Sequence, residues 1–325
     1  MKDKDIKQKL SELKELALKE RLNIAEEIRQ LESKLHGNNH NNNSAWSKVK
    51  LSRLIERPTT LDYINMIFDD FIELHGDRLY ADDPAMVGGI GLLNGRPVTI
   101  IGQQRGRNLK ENLKRNGGMA LPEGYRKALR LVRQAEKFGR PVVSFVDTQG
   151  AYGGVEAEER GIAEAIARNL KEFFSVKVPI VVVLIGQGGS GGALGIGIGD
   201  TVFMLENSTY SVISPEGCAS ILLRDGSKAQ FAASIMKPTA RDLFFFKIID
   251  EIIEEPAGGA HTNPEVAAAN IKNAVWRELV RLMPMPRDQL LKERFEKFRK
   301  MGVFFEKPDS KKGLLRRLFG RKDNG

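Results

Sequence analysis

The sequence predicts an α/β protein built on a largely parallel sheet, and three observations carry that prediction. Short, continuous apolar runs rich in Val and Ile recur between residues 97 and 205, segments of helical period separate them, and one run passes directly into a glycine-dense turn. A strand covered by helices on both faces has no solvent side, so it reads as an unbroken apolar run rather than an alternating one.

Residues 5–35 read as a charged amphipathic helix, with Ile6, Leu10, Leu13, Leu16, Ile24, Ile28, Leu31 and Leu35 spaced mostly three, four or seven apart. So narrow a stripe stabilises little alone, which makes residues 1–36 a helical extension that packs on a partner. The asparagine-rich stretch that follows defines a linker over 37–45. His36, just before it, and His40, within it, read as solvated residues rather than metal ligands. Strands are expected at 97–102, 141–147, 179–186 and 201–205. Pro141 and Pro179 each stand at a strand start, where a missing N–H is tolerated. Helices are expected at 123–138 and 156–174 between the strands, then at 229–236, 239–246 and 265–282. Met283-Pro284-Met285-Pro286 closes a domain over 46–286. A basic helical tail over 287–325 follows, with a charged helix at 287–301 and a short Leu/Arg-rich segment at 313–322.

Composition narrows the class. Apolar residues make up 41% and charged residues 29% of 325, an ordinary soluble balance, and no apolar run reaches the ~18 residues of a membrane span. The charged N-terminus has no apolar core, so no signal peptide is read and a cytoplasmic location is expected. One cysteine, Cys218, and four scattered histidines form no zinc pattern. The net charge of +9 is concentrated at one end: residues 287–325 carry +7 and residues 1–36 carry +1, leaving the body almost neutral. Nucleic acid is therefore not an expected partner of the core.

The densest signal is 186–199, GQGGSGGALGIGIG, with eight glycines in fourteen residues directly after a buried strand. Glycine weakens helix and strand interiors by about 1 kcal/mol each, so this composition needs a reason. Close backbone packing is one. Another is a strand-to-helix turn that offers unpaired N–H groups to a ligand oxygen. Three chemistries want such a turn. Gly186, Gly188 and Gly191 satisfy the dinucleotide fingerprint, but a Rossmann crossover needs a real helix next, and only 193–200, with three glycines inside it, is available. Gly188, Ser190 and Gly192 satisfy the nucleophile-elbow pattern, which would call on His261 and on Asp147 or Asp200. The third is an oxyanion hole of backbone N–H groups, completed by a second strand-end loop, Asp147-Thr-Gln-Gly150-Ala151. Asp147 itself reads as a loop cap rather than an acid catalyst.

Five ordered motifs then bring in a family: YADDPAMVGGI (80–90), EGYRKALRL (123–131), GGSGGALGIGIGD (188–200), STYSVISPEGCASIL (208–222) and EPAGGAHTNPE (255–265). Together they resemble the carboxyltransferase α subunits of bacterial multi-subunit acetyl-CoA carboxylase, over roughly residues 46–282. The resemblance implies a crotonase-type spiral of ββα units and an α2β2 enzyme whose β subunit, not this chain, carries zinc. It implies transfer of a carboxyl group from biotin on a biotin carboxyl carrier protein to acetyl-CoA, giving malonyl-CoA for fatty acid synthesis, with a biotin carboxylase in the wider complex. It further implies that the released biotin nitrogen can serve as the base. A non-catalytic paralogue and a serine hydrolase using Ser190 are the alternatives.

Carried over residue by residue, the resemblance puts the oxyanion N–H donors at Gly191 and Gly192, with Gly150 and Ala151 as a second contribution. Gly188, Gly189 and Ser190 would line the substrate. Ser214 reads as a helix N-cap ahead of Pro215 that could also line the biotin pocket. Arg105 and Arg107, in a basic loop after a strand end, would reach a CoA phosphate or the carrier, or serve as plain surface. Gln149 and Gly153 stand where the family pattern has prolines, which leaves that loop freer, and Gln187 stands where glutamate is common.

Overall fold

In the computed structural model the chain is described over residues 44–302. The helix expected at 5–35 and the segment at 313–322 lie outside these residues. The chain begins with α1 (Ala45–Ser52) and α2 (Thr60–Ile67), then β1 (Asp69–Glu73), β2 (Met86–Leu93) and β3 (Arg96–Gln103). Helices α3 (Leu109–Lys114) and α4 (Pro122–Lys137) lead to β4 (Val142–Thr148), α5 (Val155–Glu159) and α6 (Ile162–Ser175). Then come β5 (Ile180–Gly189), α7 (Ser190–Leu194), β6 (Thr201–Leu205), β7 (Thr209–Ser211) and α8 (Pro215–Leu222). The last elements are α9 (Ala229–Met236), α10 (Ala240–Phe245), β8 (Glu251–Ile253), α11 (Pro264–Leu282) and α12 (Arg287–Arg299).

The sheet runs β1-β2-β3-β4-β5-β6-β8, with β7 added to the far end of β5. The first two pairings are antiparallel, and every pairing from β3 onward is parallel. Asn94-Gly95 turns the β2–β3 hairpin with both φ positive, as a two-residue turn matching strand twist requires.

Alternation within the apolar runs sends side chains to two cores. Val142, Val146, Ile180, Val182 and Leu184 face α4 and α6, where Leu131, Val132, Ala165 and Phe173 meet them. Val143, Phe145, Val181, Val183 and Ile185 face α2 and α11, where Tyr63, Ile64, Ile271 and Val275 meet them. The layered α/β architecture is as expected. The four expected strands are present, and β5 continues three residues beyond its expected end because Gln187, Gly188 and Gly189 pair with β7. The single helix expected at 156–174 is two, split where Gly161 adopts φ 79°.

Residues 287–299, read from sequence as the start of a tail, pack on this same body. Leu290 enters the second core. Arg294 is wholly buried and spends all five N–H donors: two on Asp200 (2.8 and 2.7 Å) and three on the carbonyls of Phe173, Val176 and Val178. Asp200 also accepts the Ile180 N–H, so α12 clips the starts of β5 and β6 together.

A second buried pair sits nearer the other end. Arg57 donates to both oxygens of Glu255 (2.9 and 2.8 Å) and to the Ile185 carbonyl, with both side chains fully buried. The N–H groups of Asn207 and Ala260 complete the carboxylate. Burial alone would raise the Glu255 carboxyl, but Arg57 and Asn207 outweigh it and hold it below its ordinary value of 4.5. Because the folded value is the depressed one, this stability is present above about pH 4.5 and is lost as pH falls through the lower folded value. Urea midpoints should therefore drop on acidification below that point. Glu255→Gln should be less stable at neutral pH and show a flatter acid limb; an unchanged acid limb would assign the acid sensitivity elsewhere.

Candidate active site

Parallel strands place their loops together at their C-terminal ends, and the glycine turn lies there. β5 runs into the five-residue helix α7 without a side-chain cap. The corner is Ser190, at φ 49°. The first amides of a helix have no partner within it. Within α7 neither the Gly191 nor the Gly192 N–H has a partner, and no side chain among the described residues accepts either one. A helix this short, with glycine in its body, rules out a dinucleotide crossover.

The glycines split into two kinds. A Cβ on Gly189 would collide with the Gln149 carbonyl, and one on Gly192 with the Gly150–Ala151 peptide. These two positions are glycine because main chain lies against main chain. A Cβ on Gly191 would meet only Ile166, at an ordinary 3.8 Å.

The facing loop is held from several sides. Asp147 is buried, accepting the Gln187 N–H (2.9 Å) and the Arg105 Nε–H (2.7 Å). Expected as a loop cap, it instead ties the end of β4 to β5 and to Arg105. Thr148 Oγ1 accepts the Gly150 N–H at 3.1 Å and donates to the Gly150 carbonyl. Gly150, expected as a second donor, thus has its N–H committed inside its own loop, because the Thr148 hydroxyl two residues away closes on it. Ala151 makes no such bond, and its N–H has no partner among the described residues.

A cleft of about 350 Å³ opens between the two segments, lined by Gln149, Gly150 and Ala151 on one side and Gln187, Gly188 and Gly189 on the other. That volume lies within the usual small-molecule range of about 300–1,000 Å³. Gly191 and Gly192 lie just beyond the lining, with Gly192 against the Gly150–Ala151 wall. Ser214 is the expected N-cap, its Oγ accepting the Gly217 N–H of α8 (3.0 Å), and it also lines the cleft. Arg53, also in the lining, donates to Gln187 (3.1 Å) and grips Glu216 with two bonds, holding its carboxyl below the ordinary range. The amide at 187 therefore still serves the arginine that a glutamate would face.

The two loop arginines stand elsewhere. Arg105 is engaged with Asp147 and is mostly buried, so it braces the loop. Arg107 pairs with Asp62 beside a different cavity of about 520 Å³, lined by Ile55, Asn65 and Met66 among others. Reading the sequence alone missed Arg53, and it missed Gln103 and Tyr125, whose side chains donate to the Gly192 carbonyl. Gln103 ends a parallel strand, which is the one signal that could have found it.

The elbow reading fails on geometry. Ser190 has a strained corner, but among the described residues no histidine or carboxylate is bonded to it. Asp147 is consumed, and Asp200 pairs with Arg294 at the start of β5, ten residues and roughly 30 Å of strand away. Among the described residues no His/Cys/Asp/Glu group could hold a metal, and no helix is long and apolar enough to cross a membrane.

Solved structures share this fold. A transcarboxylase 12S with methylmalonyl-coenzyme A and methylmalonic acid bound aligns with TM-score 0.53 and 22% identity, over 67% of this chain and 42% of its own. A Pseudomonas malonate decarboxylase hetero-dimer aligns with TM-score 0.55 and 17% identity, over 73% of this chain and 91% of its own. The fold is therefore that of the crotonase-type carboxyltransferases. Sequence narrows it further. The subunit alpha of acetyl-coenzyme A carboxylase carboxyl transferase from Staphylococcus haemolyticus is 56% identical over 306 residues, covering 93% of this chain and 97% of that relative. Its counterpart from Treponema denticola is 54% identical, covering 94% and 100%. The pattern of the acetyl co-enzyme A carboxylase carboxyltransferase-like family matches residues 2–302, and the chain belongs to that family.

Proposed function

We propose that this chain is the α half of an acetyl-CoA carboxylase carboxyltransferase. It acts in the cytoplasm as an α2β2 complex with a zinc-bearing β subunit, served by a biotin carboxyl carrier protein and a biotin carboxylase. The reaction moves a carboxyl group from carrier-bound biotin to the methyl carbon of acetyl-CoA, giving malonyl-CoA for fatty acid synthesis. Negative charge develops on two oxygens during that transfer, one on the thioester enolate and one on the biotin ring. The chain's task is to hold such an oxygen with dipoles already in place.

The observation that carries this reading is the adjacent, unpaired N–H groups of Gly191 and Gly192 beside the free N–H of Ala151. Each donor in such a hole contributes about 2.7–4 kcal/mol to the transition state. Gly188 and Gly189 expose bare backbone to the cleft, Ser214 lines its far side, and Gly150 shapes the loop without donating outward. Ser190 turns the corner and takes no chemical part.

The test is biotin-dependent decarboxylation of malonyl-CoA by the chain co-expressed with its β partner. Ser190→Ala should keep kcat within about threefold, since both residues meet a similar left-handed cost of about 1–2 kcal/mol. Loss of activity in that variant, or covalent labelling of Ser190 by a serine-directed reagent, would return the hydrolase reading. An assembled wild-type complex with no activity would mark a non-catalytic paralogue.

A further inference from the structure

Gln103 ends β3, is wholly buried, and lies outside the cleft lining. Its amide nevertheless joins both halves of the site. Nε2 donates to the Gly192 carbonyl at 2.7 Å, and Oε1 accepts the Asp147 N–H at 3.2 Å. The Gly192 carbonyl needs such a partner. The backbone donor four residues on, Ile196 N–H, turns instead to Ala193. A buried carbonyl without a donor is costly, so side chains have taken over. Tyr125, whose phenol burial pushes well above its ordinary value, adds a second donor at 3.2 Å.

We infer that Gln103 is a positioning residue for carboxyl transfer, fixing the Gly191–Gly192 turn relative to the facing loop. This rests on the oxyanion reading above. Two consecutive glycines have the widest backbone freedom in the chain, and a donor array is useful only when its direction is set beforehand. The Gly150–Ala151 peptide abuts Cα of Gly192, and Gln103 holds the carbonyl on its far side. The same side chain ties that carbonyl to the start of the facing loop. A primary amide is the group suited to this place, because it donates to one peptide and accepts from another without carrying charge.

Gln103→Glu tests this through pH. A carboxylic acid can still donate to Gly192 and accept from Asp147, whereas a carboxylate sets a second acceptor against the Gly192 carbonyl. The ionisable groups around the position are Asp147 on β4, held by Arg105, and Tyr125 on α4. Burial beside Asp147 raises the new carboxyl, so the acid form gains population as pH falls. In the complex with the β partner, using malonyl-CoA and free biotin, kcat of Gln103→Glu should be at least about tenfold below wild type at pH 8. It should recover toward pH 6 relative to wild type, with KM for malonyl-CoA unchanged. Gln103→Met should lose kcat at every pH.

A kcat within threefold of wild type at pH 8, or a deficit of Gln103→Glu that is equal at both pH values, would overturn the inference. Should Gln103→Glu fail to assemble, Gln103→Met decides alone, and a kcat within threefold would overturn it. Gly192→Val run in parallel separates the two readings. Activity in that variant removes the oxyanion reading itself, whereas its inactivity beside an unaffected Gln103→Glu removes only the role of Gln103.

Discussion

Gly192→Val should lower biotin-dependent malonyl-CoA decarboxylation by a hundredfold or more, while Gly191→Ala, one residue away, should stay within about tenfold of wild type. The contrast follows from what a new Cβ meets. At 192 it strikes the Gly150–Ala151 peptide, which is backbone on both sides and has nowhere to retreat. The turn and the loop must separate, and the amides of 191, 192 and 151 leave their common geometry. Losing one oxyanion donor costs about 10²–10³ in kcat, and this displacement disturbs more than one. At 191 the new methyl rests 3.8 Å from Ile166 and the N–H is retained. Steady-state kinetics on assembled complexes, with melting temperatures to confirm folding, decide the matter. Equal losses at both positions would mean that general packing, not donor placement, governs the turn.

Arg294→Met should destabilise the subunit by about 3–5 kcal/mol, the usual result of removing one member of a buried charge pair. Three carbonyls, of Phe173, Val176 and Val178, and the Asp200 carboxylate lose their donor together. Urea unfolding would measure the change. The activity of the remaining folded complex should be near normal, because Arg294 grips the starts of β5 and β6 and the proposed site lies past their ends. A stable but inactive Arg294→Met would contradict this separation of roles.

Much of the sheet was legible because its central strands are nearly pure Val and Ile with proline at the start, a pattern no helix of that length imitates. The shorter strands were not. β7 and β8 have three residues each and exist only through pairing with β5 and β6, which no local pattern announces. The β2–β3 hairpin did carry a signal in Asn94-Gly95, and Gly161 announced the break between α5 and α6. Helix α12 reads as polar surface because its docking residues, Leu290, Arg294, Lys297 and Phe298, are scattered among charged ones, and a buried arginine is invisible until its carbonyls are assembled.

The site divides along the same line. The glycine turn is contiguous, so composition alone exposed it. Its supports come from 42 and 89 residues away, as Arg105 to Asp147 and Gln103 to Gly192, and only the folded chain brings them together. Arg105 and Arg107 looked equivalent in sequence, yet one faces inward to Asp147 and the other outward beside Asp62.

The segment after Asp147 has a glutamine and a glycine where proline rings would have stiffened it before folding began. Its shape is instead borrowed, from the Thr148 hydroxyl and from the bare backbone of Gly189 and Gly192 lying against it. Two walls that mould each other have no independent settings. Whatever presses on one wall of the crevice is transmitted to the opposite wall, so the reacting partners, though they arrive separately, are received by a single mechanical unit.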